Sequence, residues 1–261
     1  MQEIFQKVHY KKRLGQNFLI DKNIIEKIIG CIHPKKNDHI LEIGPGDGAL
    51  TKHICCLVDN LTIIEKDTNL INEILLITAK HNKVKIHNID VLKFNFSSIK
   101  SNMRIVGNLP YNISTEIIFK LCNIKNITDM HFMLQKEVVE RIISKPNNKV
   151  YGRLSVMAQT YFMTEKLFDV SENVFMPKPK VKSSFIRLIP KTKVFDDRKH
   201  EICFANVVRS SFEARRKMIR SSLSQYLEEE EFINIGIDSK SRAENLTAKD
   251  YLSISRYVKK I

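Results

Sequence analysis

The sequence lacks the features that mark secreted, metal-binding and membrane-spanning proteins. Its five cysteines form no CxxC pair and its eight histidines form no HExxH pattern, so we expect reduced thiols and no metal. The first residues, MQEIFQKVHYKKR, contain no apolar core typical of a signal peptide. No apolar run is long enough to cross a bilayer. We therefore expect a cytoplasmic protein.

Composition indicates a folded, basic protein. The chain has 261 residues, of which 43% are hydrophobic, so it can bury a sizeable core in one large domain or in one domain with a small appendage. The formal net charge of +14 favours a polyanionic partner, and nucleic acid is the leading candidate. The alternative explanation is a biased composition, because Lys, Ile and Asn are all abundant.

Strand-like and helix-like runs alternate through the first two thirds of the chain. Asp21 is placed to cap a first helix, and later helical runs of about ten residues separate five apolar strands. This alternation predicts a Rossmann-like α/β fold with a parallel sheet. The runs KLFDV and SSFIRLIP are expected to add antiparallel edge strands. The five predicted strands are residues 39–44, 61–65, 83–88, 103–108 and 130–135.

The pattern changes after Pro190, where helical runs follow one another without an obvious strand. One of these runs, ARRKMIRSSLSQYL, is expected to be helical throughout. We predict one domain over residues 1–192 and a small all-helical domain over residues 193–261.

A glycine turn and two carboxylates point to a nucleoside site. Gly44, Gly46 and Gly48 lie between a strand and a helix, where glycine lets a ligand approach the backbone. The GxGxG spacing is weak evidence alone, because any tight turn can use glycines. Glu65 ends the second strand and can accept ribose hydroxyls, and Asp90 follows the third and can receive an adenine amine. Singly, each carboxylate is equally consistent with a solvated strand end or a cap.

The stretch NLPY, residues 108–111, ends the fourth strand and suits chemistry on a planar amine. An exocyclic adenine nitrogen is a poor nucleophile because its lone pair is delocalised into the ring. The Asn108 side-chain carbonyl and the backbone carbonyl of Leu109 or Pro110 can hold both N–H bonds and favour a pyramidal nitrogen. Pro110 stiffens the turn, and Tyr111 can stack on the base. From four letters alone, an Asn-Pro turn with an exposed tyrosine is the simpler interpretation.

Several motifs together resemble one family, the ribosomal RNA adenine dimethyltransferases, and most closely their bacterial small-subunit type associated with kasugamycin resistance. The resemblance covers nearly the whole chain. The motifs that carry it are GQNFLID, LEIGPGDGALT, GNLPYNIST, MLQKEVVERI, YGRLSVMAQ, FMPKPKVKSSFIRL, SFEARRKMIRSSL and GIDSKSRAENLTAKDY.

The resemblance implies an S-adenosylmethionine-dependent methyltransferase, with a catalytic domain over residues 1–192 and an RNA-binding domain over residues 193–261. Its substrate would be two adjacent adenosines near the 3′ end of small-subunit rRNA, within a partly assembled 30S subunit, each dimethylated at N6. An aromatic thought to close over the target base matches Phe175, and the amine-binding motif matches Asn108, Leu109, Pro110 and Tyr111. The family's cofactor positions match Asn17, Leu19, Gly44, Gly46, Glu65, Asp90 and Asn108.

Basic residues cluster in three groups that can border an RNA groove, where phosphate contacts would supply affinity. A solvated helix face is the simpler explanation for the last group, so we expect some of its members to be bystanders. We expect a monomer. The candidate RNA-binding residues are Lys11, Lys12, Arg13, Lys178, Lys180, Arg215, Arg216, Lys217 and Arg220.

Three alternatives stay open at this point. The first is the related large-subunit rRNA methylase of the macrolide-resistance type, which shares the cofactor turn and a similar amine motif. The second is a DNA adenine methylase, disfavoured because Asn108 stands where an acidic residue is usual. The third is a non-catalytic RNA-binding assembly or transcription factor, which would have no reason to keep Gly44, Glu65, Asp90 and Asn108 together.

Overall fold

The structure is a computed structural model that describes residues 16–81 and 83–259, and its chain forms two compact units. The first unit contains the described residues up to 136 together with residues 166–187, and the second contains residues 137–165 and 188–259. Two helices before residue 165 thus pack with the C-terminal helices. The predicted division after residue 192 stays a prediction.

The helices and strands have the following bounds. The strands are β1 (Phe18–Leu19), β2 (His39–Ile43), β3 (Asn60–Glu65), β4 (Val84–Asn88), β5 (Met103–Asn108), β6 (Ile127–Gln135), β7 (Phe162–Val170), β8 (Phe175–Met176) and β9 (Ser183–Pro190). The helices are α1 (Lys22–Ile32), α2 (Thr51–Leu57), α3 (Thr68–Thr78), α4 (Ser114–Leu121), α5 (Lys136–Ile143), α6 (Arg153–Tyr161), α7 (Arg198–Glu213), α8 (Ile219–Ser222), α9 (Glu229–Asn234) and α10 (Ala248–Val258).

The main sheet has seven strands in the order β4-β3-β2-β5-β6-β9-β7, and the strands β2 to β6 all belong to the first unit. The neighbouring pairs from β4 to β6 are all parallel. The chain builds outward from β2 through β3 to β4 and then returns to place β5 on the other side of β2. The Rossmann-like α/β prediction is confirmed. Of the two runs expected at the edge, KLFDV belongs to the edge strand β7, whereas SSFIRLIP forms β9, which lies between β6 and β7.

Apolar spacing and one cap explain how α1 forms and packs. The Asp21 side chain accepts a hydrogen bond from the Ile24 backbone N–H at 3.0 Å, as expected for an N-cap. Ile25, Ile28 and Ile32 are buried, because residues at this spacing share one helix face.

The second unit is helical, with one correction to the predicted pattern. The run ARRKMIRSSLSQYL is not one helix: only Ile219–Ser222 is α-helical, because Met218 is extended and pairs with Arg242 in an isolated β-bridge.

Two buried tyrosines bind the segment before α10, with the Tyr151 and Tyr251 hydroxyls donating to backbone carbonyls at 2.9 and 2.8 Å. Among the helices of the described residues, none combines the length and apolarity needed to traverse a bilayer.

Gly107 is required by the close approach of β5 to β2. A Cβ atom at Gly107 would lie 2.6 Å from the Ile43 backbone oxygen, a distance that real Cβ contacts do not show. We expect Gly107→Ala to lower the free energy of unfolding by about 1–3 kcal/mol, because the backbone must shift to relieve the overlap. Urea unfolding followed by circular dichroism measures this.

Gly30→Ala is the matched control, because Gly30 is inside α1 and its Cβ would meet no other heavy atom of the described residues within 4 Å. We expect this variant to be more stable by about 0.5–1 kcal/mol, since alanine has the higher helix propensity. Equal effects of the two substitutions would contradict the explanation given for Gly107.

Candidate active site

A cavity opens where the parallel strands β2, β3, β4 and β5 end, all within the first unit. The carboxyl ends of parallel strands meet at one edge of a sheet, and ligands bind where the strand order reverses, here between β2 and β5. The predicted residues that line this cavity are Asn17, Leu19, Gly44, Gly46, Glu65, Asp90, Asn108, Leu109, Pro110 and Tyr111.

The glycine turn after β2 needs the left-handed backbone conformation. Gly44 and Gly46 have φ of 65° and 61°, a region that strongly favours glycine. A Cβ atom on Gly46 would lie 2.8 Å from the Phe18 ring, so the missing side chain also lets β1 pack on the turn. Both glycines therefore shape the cavity wall through the backbone.

Glu65 is held at the end of β3 with its carboxylate against the cavity. The side chain is buried, and Oε1 accepts a hydrogen bond from the Asp67 backbone N–H at 2.7 Å. Burial raises the pKa of Glu65, and the nearby Asp67 carboxylate acts in the same direction against the backbone hydrogen bonds. A ligand that donates hydrogen bonds would stabilise this poorly solvated carboxylate.

Asp90 follows β4, and both of its carboxylate oxygens accept hydrogen bonds. Oδ1 accepts from the Leu92 backbone N–H at 2.9 Å, and Oδ2 accepts from the Lys66 ammonium at 2.8 Å. The hydrogen bond from Lys66 holds the pKa of Asp90 below its usual value. Since the Lys66 side chain is 59% exposed, water can replace this ion pair at little free-energy cost.

Asn108 has a defined orientation at the end of β5. Its Nδ2 donates to the Asn17 backbone carbonyl at 2.8 Å, and because a carbonyl can only accept, the amide nitrogen must be the atom that faces Asn17. The side-chain oxygen is therefore left for a different donor. The Pro110 carbonyl already accepts from the Ile113 N–H at 3.2 Å, so the Leu109 carbonyl is the better candidate for a second acceptor.

Tyr111 is anchored through its hydroxyl, which lies 2.6 Å from the Oγ atom of the buried Ser183. Burial raises the pKa of the half-buried Tyr111, so the phenol is neutral near pH 7. The ring is thus held in place at its hydroxyl end, and Tyr111 forms part of the cavity wall.

Phe175 occupies a different position from the other predicted residues. It pairs with Leu19 in the β1–β8 ladder and is only 3% exposed, within the hydrophobic core. Leu19 lines the cavity, whereas the wall formed by the described residues does not include Phe175. Its predicted closure over a target base stays a prediction, and in this structure the ring supports Leu19.

Glu42 is a cavity residue that the motif analysis missed. It lies inside β2, is 1% exposed, and accepts a hydrogen bond from the Thr51 hydroxyl at 2.7 Å. Burial raises the pKa of Glu42 to about 7, with the Glu65 and Asp47 carboxylates acting in the same direction and the Thr51 bond opposing them. The available signal was a glutamate inside the apolar run HILEI, since a charge is costly there.

The basic residues have different environments, and Lys11, Lys12 and Arg13 lie outside the described residues. In the first unit, Lys178 and Lys180 are exposed, with Lys178 3.7 Å from Glu172. In the second unit, Arg216 and Lys217 are exposed, whereas two other arginines form ion pairs. Those pairs are Arg215 with Glu244, and Arg220 with Glu229.

Comparison with known proteins connects this geometry to one family. A family model described as "Ribosomal RNA adenine dimethylase" matches residues 7–260. The chain is 42% identical over 253 residues to a ribosomal RNA small subunit methyltransferase A from Nitrosospira multiformis, covering 96% of this chain and 97% of that one. It is 45% identical over 262 residues to the protein of the same name from Blochmanniella floridana, covering 98% and 96%.

Solved structures agree with this match. The crystal structure of a dimethyladenosine transferase from Plasmodium falciparum has a TM-score of 0.78 and 26% identity, covering 91% of this chain and 95% of that one. The 23S rRNA methyltransferase ErmE has a TM-score of 0.73 with coverages of 93% and 99%, and at 22% identity it shows the shared fold alone. The chain therefore belongs to the ribosomal RNA adenine dimethylase family.

Proposed function

We propose that this protein dimethylates N6 of two adjacent adenosines in the 3′-terminal hairpin loop of small-subunit rRNA. Family membership makes it an rRNA adenine dimethyltransferase that uses S-adenosylmethionine. The observation that carries the proposal is one cavity that contains the glycine turn, Glu65, Asp90 and Asn108. The curated relatives from two organisms, named for the small subunit, support the choice of target.

The described residues fit the proposed cofactor, which supplies an electrophilic methyl group carried on a positively charged sulfur. The glycine turn lets the cofactor approach the backbone closely. The buried Glu65 carboxylate can accept hydrogen bonds from the two ribose hydroxyls. We place the adenine amine at Asp90, with Lys66 moving into solvent as the ligand enters. Glu42 and Asp47 then face the cationic part, where their carboxylates stabilise positive charge.

The amine of the target base would be held by Asn108 and Leu109. The Asn108 side-chain oxygen and the Leu109 carbonyl each accept one N–H bond, which directs the nitrogen lone pair away from the ring. Alignment in this geometry lowers the barrier without a general base, because the amine loses its proton only after its nitrogen becomes cationic. Tyr111, anchored by Ser183, stacks on the base and fixes its plane.

A base must leave its stack to reach this cavity, and a hairpin loop reduces that cost. We propose that Lys178, Lys180, Arg216 and Lys217 contact RNA phosphates, because each is exposed and cationic. Arg215 and Arg220 are weaker candidates, since they are less exposed and their ion pairs, which are closer than that of Lys178 with Glu172, would compete with phosphate. The predicted contacts of Lys11, Lys12 and Arg13 stay predictions.

We further propose a cytoplasmic monomer that acts on a partly assembled 30S subunit. The free thiols of all five cysteines fit a reducing compartment. The relatives' names supply the ribosomal context, and the formal charge of +14 fits an RNA-rich substrate.

The proposed function is tested by methyl transfer from tritiated S-adenosylmethionine to three substrates. These are small subunits that lack the modification, large-subunit rRNA and duplex DNA, each followed by nucleoside analysis. We expect N6,N6-dimethyladenosine from the small subunit alone. Label in large-subunit rRNA would favour the macrolide-resistance type, label in DNA would favour a DNA methylase, and RNA binding without label would favour an assembly or transcription factor.

Asn108→Ala should lower methyl transfer by about 100-fold or more, because it removes one acceptor for the reacting amine. RNA affinity should change by less than about 0.5 kcal/mol, since Asn108 addresses only that amine. Single-turnover transfer and filter binding measure the two quantities.

The matched control is Asn72→Ala, an exposed asparagine on α3 outside the cavity wall. Because Asn108 also bonds to Asn17, cofactor affinity is measured in both variants by calorimetry. Transfer near the wild-type rate in Asn108→Ala would refute the proposed alignment mechanism.

Cofactor affinity should rise with pH up to about 7 and then level off, because Glu42 is protonated below its raised pKa of about 7. Binding a cation favours the ionised carboxylate, so the complex releases a proton, and affinity increases by up to about tenfold per pH unit below 7. Calorimetry between about pH 5.5 and 8 measures the change.

Glu42→Gln should keep a side-chain oxygen that accepts the hydrogen bond from Thr51. It should remove the pH dependence of cofactor affinity and weaken cofactor binding at pH 8. Glu26→Gln, an exposed carboxylate on α1, is the control and should retain the wild-type profile. A wild-type affinity that does not change across this range would show that Glu42 is not coupled to the ligand.

A further inference from the structure

A second group of chemically active side chains lies outside the candidate active site. Cys55 and Cys56 are adjacent on α2, and His81 follows α3. The ligand atoms of these three residues all lie within 4.8 Å of one another. The sequence gives no sign of this group, because an adjacent cysteine pair and a histidine 25 residues after Cys56 match no common metal-binding pattern.

We propose that Cys55, Cys56 and His81 form a binding site for Zn²⁺, with water as the fourth ligand. Two thiolates and an imidazole are a soft, nitrogen–sulfur donor set that zinc prefers over magnesium or calcium. A water-completed site suits the partial exposure of the group, in which Cys55 is buried, Cys56 exposed and His81 intermediate.

The spacing of the donors is close to the spacing that zinc requires. Zinc–sulfur and zinc–nitrogen bonds of about 2.3 and 2.0 Å place donors about 3.5–3.8 Å apart in a tetrahedron. The Cys56 Sγ and His81 Nε2 atoms are 4.0 Å apart, and the 4.8 Å limit covers all three donors. Side-chain shifts of about 1 Å or less are therefore enough to close the site.

The cysteine thiols already point to one place. Both Sγ atoms lie near the Lys52 carbonyl, at 3.6 Å for Cys55 and 3.4 Å for Cys56, on the last turns of α2. Zinc would connect α2 to the segment after α3, two elements that both follow strands of the cavity.

The test uses the reduced full-length protein, stripped of metal and dialysed against Zn²⁺. We expect one tightly held zinc per chain by atomic emission, a raised thermal unfolding midpoint that EDTA reverses, and thiolate charge-transfer absorption when Cd²⁺ replaces zinc. Cys56→Ser and His81→Gln should each weaken zinc affinity by about tenfold or more, measured by competition with a chromophoric chelator.

Two controls distinguish this group from general thiol or imidazole binding. Cys203→Ser removes a half-buried cysteine on α7, and His53→Gln removes an exposed histidine on α2 itself. Both should bind zinc as the wild type does. Absence of bound zinc in the wild type, or a zinc affinity in Cys56→Ser and His81→Gln equal to that of the wild type, would overturn the proposal. These readouts do not depend on methyl transfer, so they stand apart from the proposed function.

Discussion

The site depends on the close parallel packing of β2 against β5. At Gly107 the two backbones approach so closely that a methyl group would overlap the Ile43 carbonyl. This contact brings the glycine turn beside the end of β5, where a Cβ on Gly44 would lie 4.0 Å from the Asn108 carbonyl. The glycine turn and residues 108–111 are therefore neighbours, because β2 and β5, which are distant in sequence, pair directly with each other.

The second constraint is electrostatic. Glu42, Asp47 and Glu65 are all poorly solvated, and burial raises the pKa of each. A bound cation would offset part of the cost of holding these carboxylates in a poorly solvated cavity, so the cavity favours cationic ligands. If the cavity binds the cofactor as proposed, a product that has lost one positive charge would be held less tightly there.

Local patterns predicted much of this arrangement, and long-range contacts account for what they missed. The glycine turn, the strand ends at Glu65 and Asp90, and NLPY are short motifs whose conformations follow from glycine, proline and periodicity. The position of Glu42 inside an apolar run was a signal, but the extent of its burial depends on the pairing of β2 with β3 and β5, which local sequence does not reveal. The ion pair of Arg215 with Glu244 and the extended Met218, which ends the predicted helix, likewise depend on residues far along the chain.

The segment around β1 completes the site from outside the sheet. Phe18 packs on Gly46, and Leu19 pairs with Phe175. The Asn17 carbonyl, 91 residues from Asn108, fixes the amide that would accept the target amine. One short stretch, residues 17–19, thus contacts both the glycine turn and the end of β5. A displacement of this stretch would change the cavity wall at Gly46 and release the Asn108 amide together, because both contacts come from neighbouring residues of one segment.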